Sequence, residues 1–357
     1  MNNKVLCGMS GGVDSSVSAC LLMEQGYDVT GCTMRLFENK DIGAGLQSAC
    51  CSLSDVDDAK RVCYKLGLPH YVFQFAEEFR RTVMHPFAEA YLSGLTPNPC
   101  INCNRYLKFG KLVNRAAEVE MQYVATGHYA RIERQGGRWL LKKSVDAKKD
   151  QTYFLYNLTQ DQMEHFLLPL GGLTKEVVRE IAAAHGFANA RKKDSQDICF
   201  VPNGDYGAFI ERFEGGKVPA GQYIDCEGTV LGTHKGHIRY TLGQRKGLNI
   251  ALGKRAYVIG KDVTENTVTL GEDRDLYGME LTARDLNLIA CDQIDGTLHC
   301  TAKSRHGQIE TPCNVVQTGD DELLVQFERP VRAITPGQAV VLYDGDTVIG
   351  GGTIIAP

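Results

Sequence analysis

Two groups of residues have the types and spacing to do chemistry. The first is Gly8-Met9-Ser10-Gly11-Gly12-Val13-Asp14-Ser15, which puts three glycines, two hydroxyls and one carboxylate directly behind the apolar run Val5-Leu6-Cys7. Small residues let backbone N–H groups close on phosphate oxygens, Ser10 and Ser15 add donors, and a helix opening at this point supplies a positive dipole end. No lysine follows the glycines and their spacing is not that of a dinucleotide fingerprint, so neither standard phosphate motif accounts for them. Asp14 suits a magnesium ion on the phosphates. The bland reading is a glycine-rich turn that binds nothing.

The second group is made of thiols. Cys100 and Cys103 lie in Thr96-Pro97-Asn98-Pro99-Cys100-Ile101-Asn102-Cys103-Asn104, read as a rigid, proline-bracketed loop. Cys199 follows Lys192 and Lys193 in a second segment, and a nearby ammonium favours thiolate, the reactive form. The chain has 13 cysteines, an odd number crowded into its first third, which fits thiol chemistry or small buried side chains better than a secreted disulfide framework. Cys7, Cys20, Cys32 and Cys63 fall on apolar faces and read as inert core.

The elements that must position these groups alternate. Val5-Leu6-Cys7, Tyr27 to Met34, His70 to Phe75 and Tyr123 to Thr126 read as strands. Val17, Cys20, Leu21 and Glu24 form a helical pattern ending at Gly26, and Ser54 resembles the N-cap of a second helix carrying Val56, Ala59, Cys63 and Leu66. Further helices are expected from Glu77 to Leu92 and from Arg105 to Val119, on either side of the thiol loop. This predicts an α/β fold with a parallel, doubly wound sheet. From Gly221 onward, short β-branched runs between Gly, Asn and Asp turns predict two small β-rich, barrel-like modules. The expected units are 1–205, 206–278 and 279–357.

Composition narrows the class. With 357 residues, 43% hydrophobic and 23% charged, the chain is globular rather than disordered or collagenous. No apolar run is long enough for a membrane span and no signal core follows Met1, so a cytoplasmic protein is expected. The net charge of −4 advertises no global basic field. Arg131, Arg134, Arg138, Lys142, Lys143, Lys148 and Lys149 nevertheless form a local basic run that could hold a phosphate backbone.

These motifs carry a resemblance. Ser10-Gly11-Gly12-Val13-Asp14-Ser15 is similar to the signature of the PP-loop ATP pyrophosphatases, which implies ATP with Mg²⁺ and adenylation of a substrate oxygen. Nucleotide contacts then fall on Gly8, Met9, Ser10, Gly11, Gly12, Val13, Asp14 and Ser15, with Met34 at the adenine and Gly127 at a backbone position. The thiol loop, Gly127-His128-Tyr129-Ala130-Arg131, Lys149 to Leu155, Asp194 to Phe200, Tyr240 to Leu248 and Thr335 to Ala339 together resemble the bacterial tRNA-specific 2-thiouridylases, in order and over nearly the whole chain.

That resemblance implies 2-thiolation of the wobble uridine of lysine, glutamate and glutamine tRNAs. Cys199 matches the persulfide carrier and Cys103 the nucleophile that assists sulfur release. Asn98, Pro99 and Cys100 match the segment at the target base, while His128, Lys149, Asp150, Gln151, Arg305, His306 and Gln338 match tRNA contacts. The partners implied are tRNA and a persulfide sulfur-donor protein. The chain departs from many members at Cys100, where they carry aspartate. Three alternatives follow for Cys100, Cys103 and Cys199: persulfide chemistry, ligation of a 4Fe-4S cluster, or a zinc site completed by Cys50 or Cys51. A more remote reading is another adenylating or amidating PP-loop enzyme.

Overall fold

The computed structural model describes residues 3–43, 53–192 and 197–357. Strands β1 (Lys4–Gly8), β2 (Asp28–Arg35), β3 (His70–Gln74) and β4 (Tyr123–Ala125) fall within one residue of the expected runs. The hairpin β5 (Ala130–Gln135) and β6 (Arg138–Lys143) and the short β7 (Phe166–Leu167) complete the first half. The sheet is ordered β3-β2-β1-β4-β7 and every pairing is parallel. Val5, Leu6 and Cys7 are fully buried, as a central parallel strand covered on both faces requires. The chain leaves β1 toward β2 on one side and later returns to β4 on the other. The carboxyl ends of β1 and β4 therefore flank a crevice of the kind where open α/β sheets bind ligands.

The Val13–Glu24 helix opens immediately after the glycines and closes before Gly26, whose φ of 84° only glycine adopts at no cost. The Leu53–Leu66 helix starts one residue ahead of Ser54, so Ser54 lies inside its first turn rather than at its N-cap. A larger correction concerns the thiols. Helical structure runs over 99–118 rather than from Arg105, because Asn98 Oδ1 accepts the Cys100 N–H at 3.2 Å and Pro99 takes the first helical position. Cys100 and Cys103 thus sit on a helix, not on a loop. Residues Cys103–Lys111 of that run are π-helical.

Two β assemblies follow the Tyr206–Glu214 helix. Strands β8 (Gly221–Ile224), β9 (Val230–His234), β10 (Tyr257–Asp262) and β11 (Thr267–Gly271) form a four-stranded sheet around Tyr223, Tyr240, Val258 and Val268. Strands β12 (Tyr277–Leu288), β13 (Thr297–Lys303), β14 (Thr311–Gly319), β15 (Glu322–Arg332), β16 (Ala339–Asp344) and β17 (Thr347–Ala356) run in the order β12-β15-β14-β13-β16-β17, and β12 pairs with β17 to close a six-stranded antiparallel barrel. The β5–β6 hairpin joins this barrel's sheet through Thr347 and Lys142.

That junction corrects the reading of the basic run. Arg131 binds Glu133 and Asp346 at 2.6 Å each, Arg138 binds Asp292 at 2.8 Å, and Lys143 binds Glu310 at 2.7 Å. Lys142 pairs with Glu133, and Arg134 lies over the Trp139 ring. Arg131, Arg138 and Lys143 thus fasten the hairpin to the barrel through Asp346, Asp292 and Glu310. No described helix is long and apolar enough to cross a membrane.

Candidate active site

The glycine turn caps the central strand. Gly11 has φ of 73°, and a Cβ there would lie 2.5 Å from the Asp55 carbonyl oxygen, so both conformation and space demand glycine. Gly12 is the N-cap of the Val13–Glu24 helix and offers no side-chain acceptor to the first-turn N–H groups. Those groups have no intrahelical partner and face the crevice as anion donors. Ser15 Oγ accepts the Ser10 N–H at 3.2 Å and donates to Gly12 O at 3.1 Å, holding the loop open around it. Met9 and Val13 are buried, so their side chains belong to the core and only their backbones reach the crevice. Met34, half-buried near the end of β2, stands on the same carboxyl edge of the sheet.

Asp14 is held from two sides. Lys175 Nζ lies 2.7 and 2.8 Å from its two oxygens, and Tyr129 OH donates to Oδ1 at 2.9 Å. Gly127 is pressed against this corner, since a Cβ there would stand 2.9 Å from Ser15 N. Neither Lys175 nor Tyr129 was expected at the site from the sequence. The signal for Lys175 is its burial at 5% exposure, which a lysine accepts only with a partner. Lys192 was expected beside Cys199, but its ammonium binds Asp55 at 2.7 Å, Asp58 at 2.9 Å and Gly11 O at 3.3 Å. It braces the glycine turn. Lys193, Asp194, Ser195 and Gln196 lie outside the described residues, as do Cys50 and Cys51.

From β4 a chain of contacts leads to the thiols. His128 is buried, and its Nε2 accepts from Lys108 at 3.3 Å, which leaves Nδ1 as the protonated nitrogen donating to Thr126 Oγ1 at 2.8 Å. Burial, with the Lys108 ammonium second, holds this imidazole well below the ordinary histidine range. The same ammonium acts on the cysteines. Burial pushes the Cys103 thiol up to about 11, Lys108 opposes that rise, and Cys100 adds to it. Cys100 is exposed, yet enough protein crowds its sulfur for desolvation to raise it too, with Lys108 opposing and Asp197 reinforcing.

The π-helical turn explains the meeting. In an α-helix the fifth residue on falls roughly 140° round the axis, whereas i→i+5 hydrogen bonding returns Lys108 to the face of Cys103. Cys199 is half-buried and packs against the same apolar core as Cys103. Its neighbour Asp197 accepts from Tyr206 OH at 2.9 Å. Asp197 thereby places a carboxylate near Cys100.

The other residues expected at tRNA divide by exposure. His306 is exposed and packs in a tilted arrangement on Phe154 at 4.3 Å between ring centroids. Arg305 is half-buried and donates to Thr335 Oγ1 at 2.9 Å. Asp150 accepts the Ser144 N–H at 3.1 Å and the Thr152 hydroxyl at 2.6 Å, fixing the turn that carries Lys149. Gln151 Oε1 accepts the Tyr129 N–H at 2.9 Å, so this segment is two side chains from Asp14. Gln338 is buried and donates to Thr96 O at 2.7 Å, tying the barrel to the thiol helix. Cys100, Cys103 and Cys199 do not gather their sulfurs within 4.8 Å of one another, the spacing a single metal ion needs.

Three family models match the chain. Residues 3–203 match a family model described as tRNA methyl transferase HUP domain, 207–272 the tRNA methyl transferase PRC-barrel domain, and 279–354 the aminomethyltransferase beta-barrel domain. The chain is similar to the tRNA-specific 2-thiouridylase MnmA of Clostridioides difficile, 49% identical over 99% of this chain and 98% of that protein. It is similar to the protein of the same name from Acetivibrio thermocellus, 50% identical over 98% of this chain and 99% of that one. Among solved structures, a 4-thiouridine synthetase–RNA complex with bound ATP overlaps 56% of this chain and 46% of its own, at 16% identity and a TM-score of 0.36.

Proposed function

The chain belongs to the tRNA-specific 2-thiouridylase family, and from that premise we propose that it exchanges O2 for sulfur on the wobble uridine of lysine, glutamate and glutamine tRNAs. It is an ATP-using tRNA sulfurtransferase. The observation that carries the finer reading is the placement of Asp14 and the open glycine turn beside β4, with His128 and Lys108 leading from there to Cys103.

Uracil O2 attacks the α-phosphorus of ATP, the α–β bridge breaks, and pyrophosphate leaves from the turn of residues 8–15. Asp14 has the hard oxygen donors a magnesium ion takes, and would hold one once Lys175 moves from its carboxylate to the phosphates. When bound, that ion neutralises phosphate charge during the displacement. The terminal sulfur of a Cys199 persulfide then attacks C2 and AMP departs. Cys103 thiolate attacks Cys199 Sγ, and the S–S electron pair passes to the transferred sulfur. A Cys103–Cys199 disulfide remains, to be reduced by an external dithiol. A protein persulfide reloads Cys199. A stacked base cannot reach this crevice, so the uridine must turn out of its stack.

Single-turnover thiolation of unmodified glutamate tRNA tests the reading. Cys103→Ala and Cys199→Ala are expected to lose thiolation while keeping tRNA-dependent pyrophosphate release. Thiolation retained in Cys199→Ala would overturn the carrier role. The second reading, a 4Fe-4S cluster on Cys100, Cys103 and Cys199, is favoured by the all-thiol donor set and by Cys100 itself. Iron and acid-labile sulfide that track activity and vanish in Cys100→Ala would establish it, whereas activity from metal-free protein with a persulfide donor assigns delivery to Cys199.

A further inference from the structure

Away from the crevice, one set of unlike donor atoms converges among the described residues: Cys20 Sγ, Glu24 Oε1 and His185 Nε2. The sulfur–nitrogen distance is 3.4 Å, nitrogen–oxygen 3.3 Å and sulfur–oxygen 3.8 Å. A tetrahedral zinc ion, with bonds of about 2.3 Å to sulfur and about 2.0 Å to nitrogen and oxygen, sets the corresponding edges at roughly 3.5, 3.3 and 3.5 Å. The three atoms therefore already stand close to one face of such a tetrahedron. Cys20 is buried, while the Glu24 and His185 side chains are 49% and 36% exposed, which leaves the fourth corner open to water.

A second observation points to a cation at the same place. The Val13–Glu24 and Lys175–Ala184 helices begin together, at Asp14 and Lys175 joined at 2.7 Å, and end together, at Glu24 and the C-cap His185. They therefore run parallel, and both negative dipole ends meet at this cluster. Neither helix has a basic residue in its last turn. A bound cation offsets both ends at once.

We propose that Cys20, Glu24 and His185 form a divalent transition-metal site of the zinc type, with water as fourth ligand, joining the far ends of the two helices whose near ends hold Asp14. The donor set of thiolate, imidazole and carboxylate suits zinc rather than calcium or magnesium. Binding displaces the thiol proton of Cys20, so affinity rises with pH.

The test is a titration of chelator-treated full-length protein with Co²⁺, followed by Zn²⁺. Wild type is expected to show a thiolate-to-cobalt charge-transfer band with tetrahedral d–d absorption, bleached by Zn²⁺. The Cys20→Ser difference spectrum should lack one equivalent of that band, and His185→Gln should bind at least about tenfold more weakly. Zn²⁺ should raise the Tm of wild type but not of Cys20→Ser. His185 is accessible enough that His185→Gln keeps the test intact if Cys20→Ser fails to fold. A band and a zinc-dependent Tm unchanged in both variants, or no tetrahedral cobalt in wild type, would show a hydrogen-bonded triad and overturn the site.

Discussion

A thiol that burial holds at about 11 is almost wholly protonated near neutrality, so Cys103 depends on whatever positive charge reaches it. Lys108 is that charge. Its ammonium lowers the thiol and its hydrogen bond keeps His128 neutral, so a single side chain serves two neighbours. Single-turnover sulfur transfer is expected to rise with pH toward the Cys103 titration. Lys108→Met should move that rise to higher pH, because removing a charge that lowers the thiol can only raise it, each unit costing about tenfold in thiolate below the pKa. A pH–rate profile that does not move would remove Lys108 from this role. At the glycine turn, Asp14→Ala is expected to abolish tRNA-dependent pyrophosphate release, whereas Lys175→Met should reduce it; unchanged release in Asp14→Ala would take the carboxylate out of the adenylation step.

At the scale of elements, the thiol helix is positioned from both ends. Asn98 caps its start, and Gly337 of the barrel, at φ of 90°, lies so close that a Cβ there would stand 3.0 Å from Thr96 N. Asn98→Ala should cost about 1 kcal/mol of local helix stability, read as faster hydrogen exchange over 99–103. Gly337→Ala adds backbone strain and pushes on Thr96, so thiolation should fall several-fold more than pyrophosphate release in the same preparation. Equal losses in both would show general unfolding rather than a displaced thiol helix. The strands were legible in the sequence because fully buried parallel strands leave unbroken apolar runs such as Val5-Leu6-Cys7, and the glycine turn because its residue types have few other uses. The helical start at Pro99 was hidden behind two prolines that read as loop, although Asn98 before Pro99 is a capping signal. Lys108, Lys175 and Tyr129 were invisible for a different reason. Each acquires its role from a partner 20 to 161 residues away, and no local pattern reports that. The basic run failed likewise: its counter-charges at 292, 310 and 346 come from the barrel.

For the whole molecule, burial sets the pH range of stability. His70, His128, His234 and His237 are all held below the ordinary histidine range, burial being the first cause in each. The unfolded chain then binds more protons, so their contribution is complete above about pH 6.5 and is lost as pH falls below it. The Tm should decline from pH 7 to pH 5, and His234→Gln should flatten part of that slope. The barrel also has a consequence for how the protein folds. Strand β17 both seals the barrel against β12 and receives the hairpin of residues 130–143. It follows every other described strand in sequence, so until it docks β12, β16 and the hairpin present unpaired edges. A chain in which β17 has not docked should therefore expose three strand edges at once to pairing with other chains.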